Sequence, residues 1–261
     1  MKYSIVMLCY NTLPIMKRCL EAALDTTGAD TEIILVNQHP PYADQQEFLN
    51  QLVHPRVRVA DPGRNLGVHR GIEYGFRKAR GQFVIKVDDD SQVPPNNWIT
   101  AMSDAITNRN LAYVALPFHA ISGRGYIKVQ EYGYELEYFD DAILAGVLMI
   151  KRDLWWDHFR LPDSKDRLYG QEEAHYHEVS RALGMGKGYL TSHPYTHLGR
   201  TPECDGLYGA WKLFYALGRT NEEYTDWRRS FALTDENIRV MRDFGYPDDQ
   251  IEDMRRQLAT I

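Results

Sequence analysis

Apolar positions along the first hundred residues come in two alternating patterns. Tyr3 to Cys9 (YSIVMLC) is apolar nearly throughout, as in a strand buried on both faces. Residues 13–24 then place Ile15, Cys19, Ala22 and Ala23 on one face of a helix. EIILVN at 32–37, VRVA at 57–60 and QFVIKV at 82–87 predict three more strands, with helices over 42–52 and 70–79 between them. This order predicts an α/β fold made of βαβ units, with a mainly parallel sheet and right-handed crossovers. Ligands of such sheets bind beyond the carboxyl ends of the strands.

The second half reads differently. Residues 125–139 are Tyr-rich and partly alternating, which predicts a hairpin or edge ribbon. AILAGVLMI at 142–150 predicts a buried strand. Residues 170–186 predict a helix with Tyr176, Val179 and Leu183 on one face, ended by glycines. From about Asp205 the chain turns helical, and Thr234 or Asp235, and Asp248, stand where N-caps belong.

Composition narrows the function classes. With 261 residues, 44% hydrophobic and 25% charged, a sizeable core is available. A net charge of −6 counts against a nucleic-acid surface, so no nucleic-acid partner is expected. Cys9, Cys19 and Cys204 are odd in number and lack metal or redox spacing, which fits a reducing, cytoplasmic setting. Asn11, Pro14 and Lys17-Arg18 follow the apolar start too soon for a signal peptide, and no membrane span is expected.

The candidate chemistry centres on Asp88, Asp89 and Asp90, which close the fourth strand. Three adjacent anions repel one another and call for positive charge nearby. A hard divalent cation such as Mg²⁺ or Mn²⁺ takes one or two carboxylates plus substrate phosphates. The competing reading is a solvated acidic turn before the helix that starts near Trp98. Upstream, Gly63, Gly67 and Gly71 permit tight turns, while Arg64, Arg70 and Arg77 could face a diphosphate.

In order and spacing, the opening IVMLCYNTLPIMKRCLEAAL…EIILVN and the run GRNLGVHRGIEYGFRKARGQFVIKVDDD resemble the nucleotide-sugar half of GT-A glycosyltransferases, particularly glycosyltransferase family 2. AGVLMIKRDLW (145–155) is similar to the segment that places a Gly-containing loop near the sugar. YGQEEAHYHEVSRALGMGKGYLTSHPYTHLGR (169–200) resembles the Glu-Asp helix start and later metal-binding His of the family, and further the corresponding pattern of polypeptide N-acetylgalactosaminyltransferases.

The resemblance implies a GT-A glycosyltransferase domain over 1–204, with a nucleotide-sugar half (1–100) and an acceptor half (101–204). Residues 205–261 remain a small C-terminal helical appendage, whose last part, 233–261, is expected to be separable from the chemistry. It further implies that Asp90 is the principal ligand of Mn²⁺ (or Mg²⁺), and that Asp88 bridges metal or ribose. Asp89 is the weaker donor-site candidate. His197 completes the metal set, with His193 as the competing imidazole. Tyr10, Asn11, Asn37, Arg64, Asn65 and Arg70 would contact the nucleotide sugar.

Glu173 is the implied general base and Glu172 the second catalytic candidate, against a reading of both as first-turn acids that stabilise the helix. One departure stands out: the family places an Asp after the second strand to read uracil, and this chain has Asn37. Similarity to the retaining N-acetylgalactosaminyl enzymes leaves stereochemistry open, while the adjacent Glu pair argues for inversion. Tyr126, Tyr132, Tyr134, Tyr138, Trp155, Trp156, Tyr169 and Tyr176 could stack on sugar faces or serve as ordinary core.

The expectation is a metal-dependent glycosyltransferase that moves a sugar from a UDP- or GDP-sugar to the hydroxyl of a carbohydrate or glycoconjugate. Two other classes compete. A nucleotidyltransferase on a related fold would leave Glu172, Glu173 and His197 without a role. A non-catalytic nucleotide-sugar-binding protein would have no use for the Glu pair.

Overall fold

In the computed structural model, residues 1–40, 42–118, 127–131, 134–139, 143, 145–160, 172–199, 210, 231–243, 246 and 248–259 are described. The side chain of Glu172 lies outside this set, as do Tyr126, Tyr132, Tyr169, Arg200 and Cys204. The first half alternates β1 (Tyr3–Cys9), α1 (Leu13–Asp25), β2 (Thr31–Asn37), α2 (Ala43–Gln51), β3 (Val57–Ala60), α3 (Gly67–Lys78) and β4 (Phe83–Asp88). These strands pair in parallel in the order β3-β2-β1-β4. Their register aligns Ala60, Val36, Leu8 and Asp88, so the next residues, Asp61, Asn37, Cys9 and Asp89, fall along one edge.

The second half supplies β5 (Ser91–Gln92), α4 (Trp98–Arg109), β6 (Leu111–Leu116), the hairpin β7 (Ile127–Glu131) and β8 (Tyr134–Tyr138), and β9 (Val147–Lys151). A short α5 (Arg152–Leu154) runs into a π-helical turn, Trp155–Phe159. Then come α6 (Glu172–Ala182), β10 (Gly186–Leu190), β11 (Thr196–His197), α7 (Asp235–Asp243) and α8 (Asp248–Leu258). The nine-stranded sheet has the order β3-β2-β1-β4-β9-β6-β10-β8-β7, and only β8 and β9 run against the rest.

Strand alternation sends side chains into two core layers. On one face Ile5, Met7 and Ile85 pack with Ile15, Met16 and Cys19 of α1 and with Trp98 and Met102 of α4. On the other, Val6, Val36 and Val84 meet Ile72 and Phe76 of α3, then Trp155, Phe159 and Tyr176. α3 lies close to the sheet: a Cβ on Gly75 would stand 2.3 Å from Val6 Cγ1. The sheet's amino edge is tied by buried Glu32, which accepts from Ser4 Oγ (2.7 Å), Arg80 N–H (2.7 Å) and Arg58 Nη2 (2.9 Å).

Three local expectations change. α6 stops at Ala182, with Gly184 at φ +64, and Leu183 is exposed. From Gly186, where the expected helix ends, the chain continues as a strand that fills the gap between β6 and β8. Asp248 is the first residue of α8 rather than its cap, and its Oδ1 accepts from Arg242 Nε at 2.8 Å. Thr234 does cap α7, its Oγ1 accepting from Asn237 N–H at 3.2 Å.

α7 and α8 bury Ile238, Met241, Ile251 and Met254 around Ala210, and Tyr10 packs against this cluster. The tail therefore touches the turn after β1, where separability from the donor side was expected. Among the described residues no helix is long and apolar enough to cross a membrane.

Candidate active site

Each carboxylate of the triplet meets a different partner. Asp88 shares a face of β4 with Lys86, two residues earlier, and Lys86 Nζ lies 3.3 Å from Asp88 Oδ1. That ammonium is buried and also donates to the Ala145 carbonyl at 2.9 Å. Asp89 Oδ2 accepts from the backbone N–H groups of Tyr10 (2.7 Å) and Asn11 (2.6 Å), pinning the turn after β1. Burial and then the charge of Asp89 push the Cys9 thiol well up, which leaves it inert.

Asp90 is almost fully buried, and its Oδ2 lies 3.6 Å from His197 Nε2. The contact comes from a two-stranded ribbon in which Ser91 pairs with His197 and Gln92 with Thr196, extended by Leu198 N–H donating to Asp90 O at 2.7 Å. Phe118 flanks the imidazole, ring centres 5.8 Å apart. The Tyr195 phenol is held protonated by burial first and Asp88 second, and it accepts from Gly146 N–H at 3.2 Å. Gly146 O in turn accepts from Asp88 N–H at 2.8 Å, joining the β4 end to the start of β9.

His193, the competing imidazole, stands elsewhere. It is buried, Nδ1 lies 2.9 Å from Ser192 Oγ and Nε2 3.4 Å from Asn97 Oδ1. Burial lowers its pKa, which favours the neutral ring.

Among the described residues no group of three or more His, Cys, Asp or Glu stands close enough to hold a metal ion, so Asp88, Asp90 and His197 do not come together as a three-residue site. The donor set instead fits a metal shared with a substrate: one carboxylate and one imidazole leave the remaining positions to phosphate oxygens and water. A side chain at Gly199 would crowd both groups: a Cβ there would stand 2.6 Å from Asp90 Oδ2 and 2.5 Å from His197 Cε1.

Glu173, in the first turn of α6, lines a cleft on the α3 side of the sheet with Lys86, His69, Ala145, Leu148 and Tyr176. The nearby Tyr113 phenol is pushed far up by burial, with the charge of Glu173 among the smaller causes. Lys86 thus touches Asp88 and also lines the Glu173 cleft. No sequence motif singled it out. Its signal was a lone lysine in an otherwise apolar strand, which is legible only once the strand is known to be buried on both faces.

The remaining residues expected to contact the nucleotide sugar are spread along the carboxyl edge. Asn11 is buried, and its Oδ1 accepts from Thr12 N–H at 3.1 Å. Asn65 Oδ1 accepts from Gly67 N–H at 2.7 Å, at the front of α3. Arg64 and Arg70 are exposed around that helix start. Asn37 is buried and engaged on both sides of its amide.

The profile of glycosyl transferase family 2 matches residues 4–165, well over half of the chain. The chain belongs to that family. An undecaprenyl-phosphate 4-deoxy-4-formamido-L-arabinose transferase of Pseudomonas fluorescens is 38% identical over 98 residues, 35% of this chain and 28% of that protein. An uncharacterized glycosyltransferase, YkcC, of Bacillus subtilis is 32% identical over 100 residues, 36% of this chain and 30% of that one. The matched stretch spans under a third of these relatives' length.

Among solved structures, GalNAc-T7 with UDP, GalNAc and Mn²⁺ superposes at a TM-score of 0.60 with 16% identity, covering 75% of this chain and 43% of that one. The mannosyltransferase PcManGT from Pyrobaculum calidifontis, in complex with GDP-Man and Mn²⁺, gives 0.62 with 11% identity over 81% and 61%. At such identities the likeness establishes the fold, and the fold of this family 2 member is GT-A.

Proposed function

We propose that this family 2 glycosyltransferase moves a sugar from a UDP- or GDP-sugar to a hydroxyl of a carbohydrate or glycoconjugate, with inversion at the anomeric carbon. The observation that carries this reading is the β5–β11 ribbon, which sets Asp90 beside His197 just past the carboxyl end of β4. The UDP, GDP-Man and Mn²⁺ in the described fold relatives support it.

Asp90 and His197, with Asp88 turned partly toward Lys86, would hold Mn²⁺ (or Mg²⁺). When bound, the ion supplies positive charge to the leaving diphosphate. Arg64 and Arg70 add charge from the α3 side, and Asp89 shapes the Tyr10–Asn11 turn against which the nucleoside lies. Glu173 takes the proton of the acceptor hydroxyl onto its carboxylate while that oxygen forms the new bond to the anomeric carbon. The bond to the diphosphate breaks on the opposite face, and the electron pair leaves with the nucleotide. Glu172, the neighbouring residue, serves the acceptor or the helix start.

Residues 1–204 constitute the catalytic domain, donor half 1–100 and acceptor half 101–204. Residues 205–261 are the appendage, and its helices α7 and α8 bear on the donor side through Tyr10. The chain's cysteine usage agrees with work in the cytoplasm. The test is calorimetry and thermal shift with UDP-, GDP-, CMP- and dTDP-sugars, with Mn²⁺ or EDTA. Metal-dependent binding of a UDP- or GDP-sugar is expected, and equal affinity in EDTA would refute the metal assignment.

A further inference from the structure

Asn37 stands at the end of β2, where the family's base-reading carboxylate is expected, yet it has nothing left to offer a ligand. The residue is 2% exposed. Its Oδ1 accepts from His39 N–H (2.9 Å) and Gln46 Nε2 (3.2 Å). Its Nδ2 donates to Gln46 Oε1 (3.1 Å) and Asp61 Oδ2 (3.3 Å). Two acceptor and two donor positions exhaust a carboxamide.

The register puts Asp61 beside Asn37 on the same carboxyl edge, one strand further out. Asp61 Oδ1 accepts from Gly63 N–H (2.6 Å) and lies 2.8 Å from His39 Nε2. Among the described residues, Oδ2 receives the one long contact from Asn37, and the side chain is 49% exposed. The carboxylate is held in place. Tyr74 OH donates to its carbonyl at 2.8 Å, and Leu66 N–H donates to Gln38 Oε1 at 2.8 Å, tying the following loop to the β2 end. His39 adopts φ +49, a costly conformation for a side chain larger than glycine, and so presents its ring to Asp61. Burial works against the charge of Asp61, but the Gly63 N–H and then His39 outweigh it and keep the carboxyl below its ordinary value.

We propose that Asp61 Oδ2 reads the nucleobase of the donor by accepting a ring N–H. The inference rests on the nucleotide-sugar reading above and names its base class. Uracil and guanine carry a proton on the ring nitrogen flanked by their polar groups, N3 and N1 respectively. Cytosine and adenine present a lone pair there, which a carboxylate repels. A buried or half-buried acceptor left facing a lone pair rejects the wrong base more strongly than any apolar pocket does.

The experiment titrates the full chain with UDP, GDP and CDP in the presence of Mn²⁺ by calorimetry. CDP should bind about tenfold or more weakly than UDP or GDP, the scale of one hydrogen bond to a charged group. In Asp61→Asn the Gly63 and His39 contacts keep Oδ1 in place, so an NH₂ replaces the reading oxygen. The favoured nucleotide should then lose about ten- to a hundredfold while CDP gains, and the preference inverts. Asp61→Ala, checked for folding by its melting temperature, should bring the affinities close together without abolishing them. A wild type that binds all three alike, or variants that keep the wild-type preference, overturns the Asp61 assignment and leaves the donor reading standing. Absence of any nucleotide binding by the wild type overturns both.

Discussion

His197 Nε2 lies 3.6 Å from Asp90 Oδ2, although 106 positions separate the two residues in the chain. Four backbone positions bring them together: Ser91 and Gln92 pair with His197 and Thr196 in a ribbon apart from the main sheet. Gly199, two residues beyond the ribbon, lacks the Cβ that would obstruct both groups.

Metal-dependent nucleotide binding should therefore rest on this pair. His197→Ala should weaken Mn²⁺ affinity roughly 10- to 100-fold without unfolding the protein. Asp90→Ala should abolish metal-dependent nucleotide binding. His193→Ala should leave it intact, because that ring faces Ser192 and Asn97. Mn²⁺ titration by calorimetry reads all three, and an effect confined to His193 would move the site.

Asp89 should behave as a structural carboxylate. Asp89→Ala strips an acceptor from two backbone N–H groups, costing about 1–3 kcal/mol for each one left unsatisfied. A lowered melting temperature is expected, with Mn²⁺ affinity closer to wild type than in Asp90→Ala. A variant with unchanged stability and lost metal binding would place Asp89 on the ion instead.

Glu173→Gln should bind the metal–nucleotide complex normally and transfer sugar at least about a hundredfold more slowly, the usual cost of a lost general base. Glu172→Gln should chiefly raise the acceptor KM. Single-turnover rates separate the two, and a swap of phenotypes would make Glu172 the base.

The tail should matter for donor binding. Met254 is buried between α7 and α8, in the cluster that seats Tyr10. Met254→Asp places an unpaired charge there, which the cluster relieves by opening. Faster amide exchange over 235–258 and weaker nucleotide affinity should appear together. Exchange that rises while affinity holds would restore the separable appendage.

Acid should loosen the opposite edge of the sheet. Burial pushes the Glu32 pKa up, but the Ser4 hydroxyl, the Arg80 N–H and Arg58 outweigh it and leave it below its ordinary 4.5. A depressed folded pKa means that its stabilisation is complete above the unfolded value and disappears as pH falls from there through the folded value. Glu32→Gln should flatten the loss of stability below about pH 4.5 while nucleotide affinity at neutral pH stays unchanged. Urea melts across pH 3 to 7 check it.

The parallel half of the fold was legible because it is local. Continuous apolar runs in β1, β2 and β4, and one-sided helices such as α1, state their own burial, and the DDD run marks a strand end in any such series. The same residues did not say that Lys86, Asp89 and Asp90 would meet three different environments. Adjacent side chains of a strand and turn leave the backbone in different directions, and what lies there is supplied from elsewhere: the β1 turn, the Ala145 carbonyl and His197. Short ribbons such as β5–β11 have too few residues for a period. Asp61 was silent for the same reason. Its significance depends on Asn37 being spent, which is a property of the register between β2 and β3 and of no segment taken alone.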